Sequence, residues 1–277
     1  MPSEQTKDLQ QWITDEGYLV NPTVAVLREL ADSLSVDAGR VNILVKPTVL
    51  RAIDREYTQS SRLTWLVEED VIQFRELTGD YQPNLVVTDS VTGAFLSFQD
   101  FTVAVALDDE TATDTVLPMV TELWGNAKET ELRTPSYEAV EESFTDLLDA
   151  GVYDSFVTAV RAMEEAGRAN AGDGGGAFSG NGHTHASILI AGAIHEISLR
   201  KLARCVERCS LSSRSSLSRI KQLMDEEGYL ATTNIESDVG RPPMRLHVAG
   251  LNSGDDAALL AERAYEDLYR ESSPSEQ

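Results

Sequence analysis

Hydrophobic positions in the first half of the chain come in short runs; in the second half they recur at helical spacing. Residues 17–20 form a brief strand-like run that ends at Asn21-Pro22-Thr23. A helix is expected from 22 to 34, with Val26, Leu27, Leu30 and Leu34 inward and Pro22 in its first turn. Residues 41–45 read as a buried strand closed by Lys46-Pro47-Thr48, followed by helices at 48–57 and 60–68. Strands at 71–74, 84–88, 94–98 and 102–107 come next, with Gly93 as a hairpin signal, and then a helix at 113–128. The order βαβα, β-meander, helix predicts an α/β sandwich over residues 1–130.

From 134 to 168 the pattern is helical and acidic, with Phe144, Leu147, Leu148, Phe156, Val157, Val160 and Met163 as inward candidates. We read 131–168 as a helical extension that packs on the sheet or bridges to a partner chain. Residues 169–183 are glycine-rich, lack the Gly-Lys-Ser/Thr ending of a phosphate loop and follow no strand, so they read as a flexible linker. Beyond it, 184–250 predict a winged helix-turn-helix, an α+β unit, and 251–277 a last helix and tail. That last helix, at 255–269 with Leu259, Leu260, Ala264 and Leu268 on one side, either dimerises or packs back on its own domain.

Within the winged unit Ser198 caps a helix whose Leu199, Leu202, Ala203 and Val206 face inward. A second helix, with Ser212 as its expected N-cap, carries the stripe Leu217, Ile220, Leu223 and Met224, and Gly228 ends it. Arg214, Ser215, Ser218, Arg219 and Gln222 fall opposite that stripe. Residues 229–235 and 240–248 then predict a hairpin with a Gly240-Arg241-Pro242 tip.

Charge sharpens this picture. Between 199 and 221 the basic residues are Arg200, Lys201, Arg204, Arg208, Arg214, Arg219 and Lys221, against the single acid Glu207, in a chain of net charge −23. A cationic two-helix surface in so acidic a protein points to double-stranded DNA. The plainer alternatives are a solvated basic helix or a winged fold used for protein contacts. In the DNA reading Arg214, Ser215, Ser218 and Arg219 face the major groove, and Ser213 at the start of that helix also touches DNA. Arg200, Lys201 and Arg204 clamp phosphates, joined by Lys221 if it is exposed, and Arg241 and Arg245 enter the minor groove.

Only Lys7, Lys46, Lys128, Lys201 and Lys221 are lysines among 23 basic residues, while Asp and Glu number 46. That balance fits a cytoplasm of high salt and a halophilic source. The polar N-terminus is no signal peptide and no apolar run approaches a membrane span, so a soluble, cytoplasmic protein is expected. Cys205 and Cys209, one helical turn apart, read as reduced core residues. His183 and His185 read as solvated side chains of the flexible segment, not metal ligands.

Three stretches carry a resemblance to a known family: Gly17-Tyr18-Leu19-Val20-Asn21-Pro22; Ser213-Arg214-Ser215-Ser216-Leu217-Ser218-Arg219 with Glu227-Gly228-Tyr229-Leu230; and Asp238-Val239-Gly240-Arg241-Pro242-Pro243-Met244-Arg245-Leu246. With them the chain resembles the haloarchaeal TbsP-type transcriptional regulators. The resemblance implies a DNA-binding regulator of metabolic genes, functionally connected to the sugar-responsive TrmB regulators.

For the amino-terminal unit three roles stay open. Catalysis is disfavoured, with no catalytic residue, metal or cofactor expected: the unit has no histidine and no Gly-x-Ser-x-Gly elbow, so a phospholipase D-like centre has no nucleophile there. A metabolite sensor would use the matched turns Asn21-Pro22-Thr23 and Lys46-Pro47-Thr48, placing Asn21, Thr23, Lys46 and Thr48 around an anionic ligand; ordinary helix starts would look the same. A scaffold would only hold two winged units apart as a homodimer on a palindromic operator.

Overall fold

A computed structural model describes residues 16–79, 81, 84–97, 102–107, 110–169, 182–234, 244–249 and 256–270. The expected linker core (170–181), the hairpin tip with Arg241, and the tail after 270 lie outside the described residues. The chain divides into two compact units, 1–136 and 137–277.

The first unit is built on a six-stranded sheet in the order β3-β2-β1-β4-β5-β6. Strands β1 (Gly17–Val20), β2 (Val41–Val45) and β3 (Ile72–Glu76) are parallel. The meander of β4 (Leu85–Thr88), β5 (Thr92–Ser97) and β6 (Thr102–Leu107) is antiparallel, with β4 antiparallel to β1. Alternation along the strands feeds two cores. Leu19, Ile43, Val45, Phe74 and Phe95 join the helices α1 (Val24–Ser33), α2 (Pro47–Ile53) and α3 (Tyr57–Glu68) through Leu27, Leu30, Ile53, Leu63 and Leu66. Tyr18, Val20, Leu44 and Val87 join Val116, Val120 and Trp124 of α4 (Glu110–Asn126). Every residue of β2 is therefore buried, as expected of a strand covered on both faces.

Two local expectations need correction. Thr23, not Pro22, opens α1: its hydroxyl accepts from the Val26 amide, and Pro22 precedes the cap. Gly93 lies inside β5, opposite Val86 and Ala106, and the turn falls at Asp89-Ser90-Val91, where the Thr88 hydroxyl takes the Ser90 and Val91 amides.

The second unit contains α5 (Tyr137–Leu147), α6 (Ala150–Ala169), α7 (Gly182–Ile194), α8 (Leu199–Arg208), α9 (Arg214–Glu226), strands β7 (Leu230–Asn234) and β8 (Met244–Val248), and α10 (Ala257–Arg270). The two acidic helices expected as an extension thus lie in this unit. Their apolar face packs on it: α5 meets α8, and α6 meets α7 and α10. Helix α7 is apolar all round and buried almost throughout, so α6, α9, α10 and β8 can gather about it. Helix α10 packs back on α6 and α7 through Leu260, Ala261, Ala264 and Tyr265, while Leu259, expected inward, is exposed.

His183 and His185 sit in the first turn of α7, not in a solvated linker. Burial lowers both to about pKa 4, and at His185 the nearby Arg219 charge adds to the effect. At Gly192 a side chain of α8 presses on the backbone of α7: a Cβ there would lie 2.6 Å from Leu202 Cδ2, and Leu202 is fully buried. Gly192→Val is therefore expected to destabilise the second unit by about 1–3 kcal/mol through overpacking, read as an earlier thermal transition in far-UV circular dichroism. An unchanged transition would contradict that packing.

Candidate nucleic-acid interface

Helix α8 buries Leu202, Ala203, Cys205 and Val206, which leaves Arg200, Lys201 and Arg204 exposed on its other side. Its N-cap is Ser198, whose hydroxyl accepts from the Lys201 amide at 3.4 Å. Cys205 is locked inside by Ser143 of α5, whose hydroxyl donates to the Cys205 carbonyl at 3.0 Å. Burial pushes the Cys205 thiol up to about 11 and raises Cys209 as well, so neither is a reactive thiolate.

The turn to α9 is fixed by its own backbone. Ser210 adopts φ 59°, and the Leu211 amide returns to the Val206 carbonyl at 3.0 Å while the Leu211 side chain is buried. The cap of α9 is Ser213, one residue later than expected from the sequence; its hydroxyl accepts from the Ser216 amide at 3.1 Å. Ser212 fails as cap because its amide is still bound to the Val206 carbonyl, which keeps it in the preceding turn. Gly228 ends the helix at φ 77°, with the Tyr229 amide on the Met224 carbonyl.

On α9, Leu217, Ile220 and Met224 are buried, and Leu223 is half-buried. Ser213, Arg214, Ser215, Ser218, Arg219 and Gln222 are all exposed on the opposite face. Among the described residues no carboxylate lies within ion-pair distance of Arg200, Lys201, Arg204 or Arg219. The other cations of the stretch are engaged. Arg208 pairs with Asp146 of α5 at 2.9 Å. Lys221, conditional on exposure in the sequence reading, is only 14% exposed and pairs with Asp225 at 3.0 Å. Arg214 is 64% exposed but reaches Glu207 at 3.6 Å.

The hairpin pairs β7 with β8 in the register Leu230↔Val248 to Asn234↔Met244. Strand β8 also reaches the segment before α8, with the Leu246 amide on the Ile197 carbonyl at 3.1 Å and a bridge between Ser198 and Arg245. Arg245 therefore sits within the β7–β8 ladder, opposite Thr233, and is paired with Glu196 at 3.4 Å. Glu196 also lies 3.5 Å from His247, whose other ring nitrogen is 2.7 Å from the Thr233 hydroxyl. What sequence reasoning missed is the partners of Glu196 and Glu207: Glu207 was counted only as the single acid of the basic run, Glu196 carried no signal, and each pairing is fixed only by the fold.

In the first unit the carboxyl ends of β1 and β2 lie side by side, with Val20 opposite Leu44. Asn21, at φ 55°, donates its amide side chain to the Tyr81 carbonyl at 3.0 Å, and Thr23 is occupied as a helix cap. Lys46 sits at the N-cap position of α2 without a side-chain cap bond, and Thr48 is exposed. Among the described residues no group of three or more His, Cys, Asp or Glu is placed to hold a metal. No described helix is long and apolar enough to cross a membrane.

Neither curated proteins nor solved structures give a match to the chain. Two family models do. Residues 6–135 match the N-terminal domain of TbsP-like transcriptional regulators, and residues 136–265 match the C-terminal HTH domain of the same regulators. That second match assigns DNA binding to the unit that carries the exposed arginine face. With nearly the whole length accounted for by two halves of one family, the chain belongs to the TbsP-like transcriptional regulators.

Proposed function

We propose that the second unit is a winged helix-turn-helix that reads double-stranded DNA with α9 in the major groove. The observation that carries this is the outward face of α9, where Arg219 and its serine neighbours stand clear while the apolar stripe fixes the helix from behind. Arg214, Ser215, Ser218 and Arg219 meet base edges, Ser213 sits at the phosphate side of the helix start, and Arg200, Lys201 and Arg204 bind phosphates. Arg241, which lies in sequence between β7 and β8, is assigned to the minor groove; Arg245 and Lys221 serve the fold. Arg219→Ala is expected to weaken binding to a selected operator by about 1–3 kcal/mol, roughly fivefold to 150-fold, in a gel shift at working salt. Equal affinity of the two proteins for that operator would overturn the assignment.

The same reading extends to biology. The excess of acids over a few lysines supports a halophilic archaeal host and a cytoplasmic protein. High salt weakens phosphate contacts through counterion release, which favours a homodimer that doubles the base contacts on a palindromic site. The regulated genes are metabolic, and the amino-terminal α/β sandwich supplies the input by binding a sugar-related anionic metabolite beside Lys46, at the adjoining strand ends where open sheets take ligands. Asn21, Thr23 and Thr48 shape that rim. Titration calorimetry with sugar phosphates is expected to give heat that Lys46→Ala abolishes; identical heats from both proteins would remove the sensor role.

A further inference from the structure

Glu207 is the one acid within the basic stretch 199–221. It stands at the end of α8 and reaches across the turn to the start of α9. Its Oε1 accepts the Arg214 amide at 3.0 Å, and its Oε2 lies 3.6 Å from the Arg214 guanidinium. The Ser213 hydroxyl already takes the Ser216 amide. Two of the free amides at the start of α9 and one of its two arginines are thus held by the protein itself. An amide at a helix N-terminus together with a guanidinium is the pair of groups that a DNA phosphate would take.

We propose that Glu207 is a specificity-determining residue that stands in for a backbone phosphate, and this rests on the DNA-binding reading above. By filling the phosphate position it denies α9 a contact that every sequence offers equally. It also steers Arg214 away from the backbone, so that the guanidinium is spent on a base edge. Glu207 is 42% exposed and its charge repels an approaching phosphate, so the cost falls on non-specific complexes first. In a protein whose phosphate contacts are screened by salt, discrimination gained this way costs little affinity.

The test uses the full chain and a random-sequence DNA duplex, titrated at several salt concentrations by fluorescence anisotropy. Glu207→Gln keeps an oxygen for the Arg214 amide and removes the charge. The variant is expected to bind the random duplex more tightly and with one more released counterion, steepening the log–log salt slope by about 0.9. A fourfold drop in salt then tightens the variant about 3.5-fold more than the unaltered protein. Adding Arg214→Gln to Glu207→Gln is expected to return the slope to that of the unaltered protein. An equal or shallower slope for Glu207→Gln overturns the inference alone, provided the unaltered protein binds DNA with salt dependence. No salt-dependent binding by the unaltered protein overturns the DNA-binding reading and this inference with it.

Discussion

Phe144→Ala lowers the unfolding free energy of the second unit by about 3–5 kcal/mol, against a typical total of about 5–15 kcal/mol for a domain. Phe144 is fully buried on α5, stacked on Phe156 at 5.4 Å and edge-on to Tyr153 at 6.0 Å, both on α6. The same helix grips α8 through Ser143 and Cys205. Removing the ring loses its transfer energy and leaves a cavity beside Phe156, itself fully buried, that closes only in part. The distribution of tryptophan makes the effect local to read. Trp12, Trp65 and Trp124 all fall in the first unit and none in the second. In urea the circular dichroism transition of the second unit is expected to move to lower denaturant, while tryptophan fluorescence keeps its midpoint. If both probes shift together, the two units unfold as one and the assignment of the loss to the second unit fails.

Acid should weaken the same unit through His183. The ring is partly buried against Tyr265, with centroids 5.4 Å apart, and burial holds its pKa at about 4 instead of 6.5. Above pH 6.5 the imidazole is neutral in folded and unfolded chains alike, and full stability is present. Between 6.5 and about 4 the unfolded chain takes up a proton that the folded one refuses, so stability falls with pH across that window. The gap is worth at most about 3 kcal/mol. His185 adds a contribution of the same sign, its ring held down by burial first and by the Arg219 charge second. Denaturant midpoints followed by circular dichroism from neutral pH downwards are expected to drop, and the drop should be shallower in His183→Gln. Parallel curves for the two proteins would show that other groups carry the acid sensitivity.

The element types were legible because local physics decides them. Short apolar runs gave β2 and β6, and the stripe at helical spacing gave α9 together with its exposed arginine face. Gly228 was readable as a helix end because few residues other than glycine tolerate positive φ. Cap and turn positions were off by a residue where two neighbours had equal chemistry: Ser212 and Ser213 are the same side chain, and only the backbone bond from Ser212 to Val206 separates them. Gly93 misled because a glycine inside a strand and a glycine in a turn look alike without the partner strands.

By itself, then, the sequence determined an α/β half, a helical half and a cationic pair of helices, since period and charge are properties of neighbouring residues. Only the tertiary structure decided that α6, α9, α10 and β8 gather about α7 while α5 packs on α6 and α8 within the second unit. It alone separated the arginines of the basic stretch that have no carboxylate in reach among the described residues from the arginines held by Glu196, Glu207 and Asp146. The reason is range: an ion pair such as Arg208 with Asp146 joins positions 62 residues apart, and no periodicity along a chain encodes which distant carboxylate a guanidinium will meet.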